Sequence, residues 1–167
     1  MREFTHKLRA SILLPVIKQF VKPEDVIIDI GADNGIVTKQ LSDAGLKIIA
    51  VADIKNSLQH EFVFYKITDN KTKLSDKSFD VALLIDVLHH IPLEKQQKII
   101  NEAKRIAHKV IICETLPNWC AYLIDWLNSM KGMITPYAFR TDWSSIGKVI
   151  VAKTPWWYPL KHVVVTL

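Results

Sequence analysis

The stretch Val26-Ile27-Ile28-Asp29-Ile30-Gly31-Ala32-Asp33-Asn34-Gly35-Ile36-Val37-Thr38 decides the fold. Its β-branched run carries one acid near its end, reaches two glycines four residues apart, and opens into a helical pattern. That order describes a buried parallel strand, a tight turn and a helix start. Such a turn is built to hold a ligand. Gly31 ends the strand where a side chain would keep a ligand off the backbone, and Gly35 lets the next helix pack close while its N–H groups face the pocket. Asp29 stands where its carboxylate either braces the loop or accepts from a bound ammonium.

The run Asp29-Ile30-Gly31-Ala32-Asp33-Asn34-Gly35 resembles the first motif, D-x-G-x-G-x-G, of class I S-adenosylmethionine-dependent methyltransferases, with Asp33 at the middle glycine. The nicotinamide fingerprint G-x-G-x-x-G fits less well, because Asp33 fails its second glycine and Ile36 its third. The resemblance implies S-adenosyl-L-methionine as cofactor, held by Asp29, Gly31, Ala32, Asp33 and Gly35.

Beyond the turn, Ile36, Val37, Leu41 and Ala44 share one side of a helix that Gly45 stops, and Lys47 to Ala52 forms a second strand ending in Asp53. An acid at that tip, roughly twenty residues past the glycines, is placed to accept both hydroxyls of a ribose. Its other reading is a cap on the turn before Asn56 and Ser57; the motif upstream favours the ribose, with Ile54 beside it. Only Ile54 to Glu61 separates this acid from the third strand-like run, Phe62-Val63-Phe64-Tyr65, so the crossover has room for a turn or two of helix at most. Thr68-Asp69-Asn70 then reads as a polar turn, or, by the resemblance, as the place where Asp69 accepts from the adenine amino group and the Asn70 N–H donates to the ring.

Phe79-Asp80-Val81-Ala82-Leu83-Leu84-Ile85-Asp86-Val87-Leu88-His89-His90-Ile91-Pro92 is the second signal, and it resembles the fourth-strand motif of small methyltransferases of the ubiquinone-biosynthesis-like group. A buried strand does not tolerate Asp86 unless the strand has ended or the carboxylate has a partner, so Asp86 marks the strand tip over the pocket. It is a candidate for both catalysis and cofactor binding, with Val87 next to it. Paired histidines invite a metal or a general base. Adjacent side chains diverge around a helix by about 100 degrees, so His89 and His90 make poor co-ligands for one ion. One is expected to be packed and hydrogen-bonded; the other, preferably His89, is the catalytic pocket group. Cys113 and Cys120 offer no zinc-ligand spacing, so no metal is expected.

Ahead of the glycine turn, Phe4, Leu8, Ile12, Val16 and Phe20 recur every four residues as the apolar stripe of a covering helix, which Pro15 kinks or restarts. Lys7, Arg9 and Lys18 lie off that stripe. After Pro92 comes a helix with Ile99, Ile100, Ala103, Ile106 and Ala107 inside and Lys95, Gln96, Lys98 and Lys104 outside. It leads to a fifth strand, Lys109 to Glu114, whose last acid either binds substrate or caps the following turn. Trp119, Tyr122, Leu123, Trp126, Leu127 and Met130 form an aromatic helical face that reads as core. In the aperiodic stretch 135–143 the resemblance makes Tyr137, Arg140 and Trp143 substrate-side candidates. Lys148 to Ala152 and His162 to Leu167 read as a terminal hairpin, whose connecting aromatics pack on the sheet flank or form a patch for homodimer contact.

A chain of 167 residues, 49% hydrophobic, is expected to be one domain: a helical cover over 1–22, a cofactor-binding core over 23–116, and helix, loop and hairpin over 117–167. The net charge of +5 is scattered among acids, which reads as solvated surface and favours a small-molecule acceptor over RNA. Pro15 interrupts the apolar run Ile12-Leu13-Leu14, so neither a membrane span nor a signal peptide is expected, and the few cysteines suit a reducing, cytoplasmic setting. The fold class is α/β: a Rossmann-like, doubly wound, mostly parallel sheet with a C-terminal antiparallel hairpin and its ligand at the carboxyl ends of the strands. The activity the resemblance implies is transfer of the sulfonium methyl, which is already electrophilic, so that the protein mainly holds the acceptor in line. An RNA methyltransferase, a nonenzymatic donor-binding protein and an oxidoreductase on the same sheet are the alternatives.

Overall fold

A computed structural model describes residues 2–120, 122–123, 139–154 and 156–167, with side chains described from residue 6 onward. The elements are α1 (Arg2–Ile17), β1 (Ile27–Ile30), α2 (Ile36–Asp43), β2 (Ile48–Asp53), β3 (Val63–Lys66), β4 (Phe79–Ile85), α3 (Leu93–Ile106), β5 (Ala107–Thr115), β6 (Lys148–Val151) and β7 (His162–Thr166). One seven-stranded sheet runs in the order β3-β2-β1-β4-β5-β7-β6. The first five strands are mutually parallel, and β7 slots antiparallel between β5 and β6. The doubly wound, mostly parallel sheet with an antiparallel terminal pair is therefore the fold observed.

The continuous apolar runs of β1, β4 and β5 follow from burial on both faces. On one face Ile27, Ile48, Val81, Leu83, Ile111 and Val164 pack under α1 and α2, where Leu13, Ile17 and Leu41 are fully buried. On the other, Ile28, Ala50, Ala82, Leu84 and Ile112 meet Ile99, Ile100, Ala103 and Ile106 of α3, with Trp143 alongside. Parallel register sets Asp29 opposite Val51 and Leu83, and all five strands deliver their carboxyl ends to the same edge. Among the described residues, no helix is long and apolar enough to cross a membrane.

Several sequence expectations are corrected here. Pro15 lies inside α1, two residues from its end, and does not restart it. A strict four-residue repeat drifts around a helix, so the buried face of α1 takes in Ala10, Leu13 and Ile17 as well as Ile12 and Val16. The side chain of Phe4 lies outside the described residues. Gln96, expected outside α3, is fully buried because its amide donates to the carbonyls of Leu88 and Ile91 at 2.9 and 3.0 Å. Ala107 is not the last turn of that helix but the first residue of β5. Of the aromatic face expected in the core, Trp119, Tyr122 and Leu123 are exposed, while Trp126, Leu127, Met130 and the stop at Gly132 fall outside the described residues.

The connection from β2 to β3, which had room for a turn or two of helix, carries none; Leu58 packs on Gly35 and the Gln59 N–H donates to the Asn34 carbonyl at 3.0 Å. Residues 67–78 likewise reach β4 without a helix. A polar clamp on α3 holds them: Thr72 donates through its N–H and its hydroxyl to Glu102, both at 2.7 Å. Arg105 pairs with Glu102 at 2.7 Å and with Asp76 at 2.6 Å, and donates to the Leu74 carbonyl at 2.8 Å. Although burial alone would raise the Glu102 carboxyl, the Arg105 and Thr72 hydrogen bonds bring it from 4.5 down to about 2. Its stabilising contribution is thus present above pH 4.5 and lost as pH falls toward 2. Arg105→Met is expected to cost about 1–3 kcal/mol, measured as a lowered urea midpoint at neutral pH, with the deficit shrinking in acid.

Candidate functional site

The β1 turn builds one half of the site. Gly31 N–H donates to the Ala52 carbonyl at 2.7 Å, continuing the parallel ladder, and Gly35 N–H closes back on Ala32 at 2.9 Å. Gly31, Asp33 and Gly35 have φ of 79°, 49° and 74°. All three glycine positions of the motif therefore need left-handed backbone, and Asp is among the side chains that tolerate it. The departure at Asp33 keeps the geometry the motif requires. Its N–H donates to Asp53 Oδ2 at 3.0 Å, tying the turn to the tip of β2. A Cβ on Gly31 would fall 2.2 Å from Val87 Cγ2, so the valine after β4 already leaves no room for a side chain there.

Asp29 is 2% exposed, with Oδ2 accepting from the Thr38 hydroxyl of α2 at 2.6 Å. Its Oδ1 is buried with no hydrogen-bond partner. Burial, with the charge of Asp53 adding to it, raises this carboxyl from 3.8 to about 6 despite the Thr38 bond. Asp53 itself is half-buried and accepts from the N–H groups of Asp33 and Ile54, the latter at 2.6 Å. Ile54 is 72% exposed beside it. Asp69 and Asn70 occupy a two-residue turn with φ of 51° and 62°, across which Thr68 and Lys71 exchange backbone bonds. The polar-turn reading of this pair is thus the conformation found.

The other half lies at the ends of β4, β5 and β7. Asp86, at φ 51° and 8% exposed, accepts from the N–H and hydroxyl of Thr115, both at 2.9 Å. Its second oxygen forms an ion pair with Arg9 of α1 at 2.8 Å. Burial alone would raise Asp86; Arg9, then His162 and His89, and the Thr115 bond lower it to about 2. Glu114 accepts from the Leu88 N–H through Oε1 and meets His89 Nδ1 through Oε2, both at 2.6 Å. Burial raises the Glu114 carboxyl; burial would lower His89, but the hydrogen bond and charge of Glu114 raise it. The pair therefore shares a proton held between the two side chains. His89, expected on the pocket side, is thus the packed and hydrogen-bonded histidine; its ring stacks on Phe139 at 5.5 Å. His162 is fully buried, 3.4 Å from both the Thr115 hydroxyl and the Tyr158 hydroxyl.

Asp86, His89 and Glu114 each place one ligand atom within 4.8 Å of the others, a grouping that the spacing of adjacent histidines does not reveal. Arg9, Thr115 and the Leu88 N–H already engage these carboxylates, so the guanidinium supplies the positive charge here. Sequence reasoning missed Arg9, Thr115 and His162. The one signal was the requirement that Asp86 have a partner, which fixes the sign of that partner but not its address. Trp143 is 5% exposed in the core, Arg140 reaches Gln96 at 3.5 Å, and Tyr137 falls outside the described residues.

A family model described as a methyltransferase domain matches residues 28–110, the span from β1 into β5 that carries the β1 turn, Asp53, Asp86 and His89, while Arg9, Glu114, Thr115 and His162 lie outside it. No curated protein matches the chain. Among solved structures, a SAM-dependent methyltransferase from Thermotoga maritima, described as a possible histamine N-methyltransferase, superposes with a TM-score of 0.72 at 17% identity, covering 98% of this chain and 90% of its own. Magnesium protoporphyrin IX methyltransferase from Synechocystis PCC 6803, with bound SAH, gives 0.62 at 15% identity over 97% and 82%. A SAM-dependent methyltransferase from Methanosarcina mazei gives 0.61 at 18% identity over 91% and 96%. Likeness at these identities is likeness of fold. The domain match adds the chemistry: this chain is an S-adenosylmethionine-dependent methyltransferase, and S-adenosylmethionine is its cofactor.

Two outcomes test the site's electrostatics. The folded protein binds the Asp29 proton more tightly than the unfolded chain, so stability present below pH 3.8 is lost as pH rises through about 6. Asp29→Asn is therefore expected to stabilise the protein at pH 7 by on the order of 2 kcal/mol, with no gain at low pH, as read by thermal melts. Asp86 has the opposite sign: its contribution is present above pH 3.8 and lost as pH falls toward 2. Arg9→Met, which leaves that buried carboxylate without its paired cation, is expected to cost about 3 kcal/mol, and Asp86→Asn added to it to recover part of the loss in urea unfolding.

Proposed function

We propose that this enzyme methylates a small-molecule acceptor, with the donor seated on the β1 turn and the β2 tip and the acceptor brought to the ends of β4 and β5. The observation that carries the reading is the buried, unpartnered Oδ1 of Asp29, an acceptor waiting for a cationic donor beside a glycine turn. The donor's ammonium satisfies it. Asp53 accepts from the ribose hydroxyls, Ile54 offers apolar surface beside it, and Asp69 and Asn70 serve the adenine edge. Gly31, Ala32, Asp33 and Gly35 supply the backbone lining, and Val87 and Asp86 close the far side.

When bound, S-adenosylmethionine supplies an electrophilic methyl on sulfur, and the chain's own work is placement. Asp86, already committed to Arg9 and Thr115, positions the end of β4 in this reading. Glu114 and His89, bonded to one another, brace the segment after β4 that borders the acceptor. Use of the lysines supports a small acceptor over RNA: Lys18 donates to Ala44, Lys77 to Lys104 and Ala107, and Lys109 to Phe20, each time to a carbonyl of the protein itself. Such lysines bind the fold together and do not make a stripe for phosphates.

Titration calorimetry with S-adenosylmethionine and S-adenosylhomocysteine tests the donor half. The full chain is expected to bind both, with Asp53→Ala weakening each by at least about tenfold through the lost charged hydrogen bonds to ribose. Affinity for the donor should rise with pH through about 6 as Asp29 ionises, and Asp29→Asn should remove that dependence. Absence of heat with either compound would overturn the assignment of these residues.

A further inference from the structure

The connection from β6 to β7 meets the chain just past β5 at the carboxyl edge of the sheet, where the Asn118 side-chain amide donates to the Pro159 carbonyl at 2.9 Å. On this rim Trp156 is 96% exposed and Trp119 75%, with Tyr122 at 56%, Trp157 at 53% and Leu123 at 44%. Trp156 and Trp157 are neighbours in the chain, and the Asn118–Pro159 bond brings the segment of Trp119 to theirs. Scattered apolar residues need no explanation, but a grouped aromatic rim does.

We propose that this rim docks on an anionic lipid bilayer, with Trp156 and Trp157 entering the interface and Lys153 and Lys161 facing the headgroups. The chemistry of the segment selects that occupant. Tryptophan combines a large apolar ring with one N–H donor and settles at the boundary between hydrocarbon and water. From Trp143 to Leu167 the chain has three lysines, Lys148, Lys153 and Lys161, and no Asp or Glu. All three are exposed, and two bracket the tryptophan pair. Each lysine near an anionic surface strengthens binding by about fivefold.

Charge also disfavours a second copy of the chain as the occupant. A two-fold interface sets a patch against itself, so Lys153 and Lys161 of one protomer would crowd those of the other with no acid from residues 143–167 to pair them. A bilayer with anionic headgroups has no such conflict. The rim also connects inward: Tyr122 meets Phe139 edge-on at 5.4 Å, and Phe139 stacks on His89. Docking would therefore hold the acceptor side of the site against the lipid. The proposal concerns a surface and does not depend on which residues hold the methyl donor.

Vesicle co-sedimentation of the full chain tests it, using phosphatidylcholine alone and phosphatidylcholine mixed with phosphatidylglycerol. Binding to the mixed vesicles is expected, weaker by at least about tenfold without the anionic lipid. W156A/W157A should lower binding by at least about tenfold and K153Q/K161Q by about twentyfold, the latter erasing the preference for anionic lipid. These side chains are exposed, and circular dichroism should show both variants folded. Failure of the full chain to bind the mixed vesicles, or binding that W156A/W157A leaves unchanged, overturns the proposal. So does a dimer in sedimentation velocity that W156A/W157A converts to monomer, which would make the rim a contact between copies.

Discussion

A carboxylate taken out of water must find donors or give up its charge. The carboxyl edge of this sheet gathers Asp29, Asp53, Asp86 and Glu114 there, and the surrounding structure is arranged around meeting that demand. Asp53 is met by two backbone N–H groups, one of which fixes the glycine turn. Asp86 draws Arg9 down from α1 and Thr115 across from β5. Glu114 stops the turn after β4 and holds His89. Only Asp29 is met halfway, by Thr38, and keeps a bare oxygen. The contrast sets Asp86 and Glu114, fully committed to the protein's own donors, apart from Asp29, which keeps an oxygen with none.

The trimmed crossovers show how little helix the architecture needs. The β2–β3 and β3–β4 connections lack helices, yet β3 keeps its register on β2 because Leu58 seats on Gly35 and the Glu102–Arg105 clamp anchors residues 72–76 to α3. Polar anchoring replaces apolar packing there, which leaves this edge dependent on charge in a way the centre of the sheet is not.

Much of the fold was legible because its signals are local. Val26 to Thr38 and Phe79 to Pro92 contain their own punctuation, a buried run ended by an acid and a turn. The short spacing after Asp53 limited that crossover to a turn or two of helix, and the structure has none. What stayed hidden is tertiary. Gln96 looks like a surface residue by helical period and is buried because two carbonyls of the preceding turn need a donor. Arg9 sits off the apolar stripe, and nothing near it in sequence names Asp86, seventy-seven residues away, as its partner. Leucine and isoleucine at 13 and 17 widened the expected stripe because four residues overshoot one helical turn. The roles of His89 and His90 could not be divided by sequence, since the division is made by Glu114 from another strand.

The order of the last two strands has a consequence for how the molecule assembles. β6 comes first in the chain but lies outside β7, and its ladder bonds within the sheet run to β7 alone. It reaches the rest of the sheet only through its successor, so its place in the sheet depends on β7 pairing with both it and β5. A nascent chain that has emerged as far as Val151 thus carries β6 before the strand that it pairs with has been made.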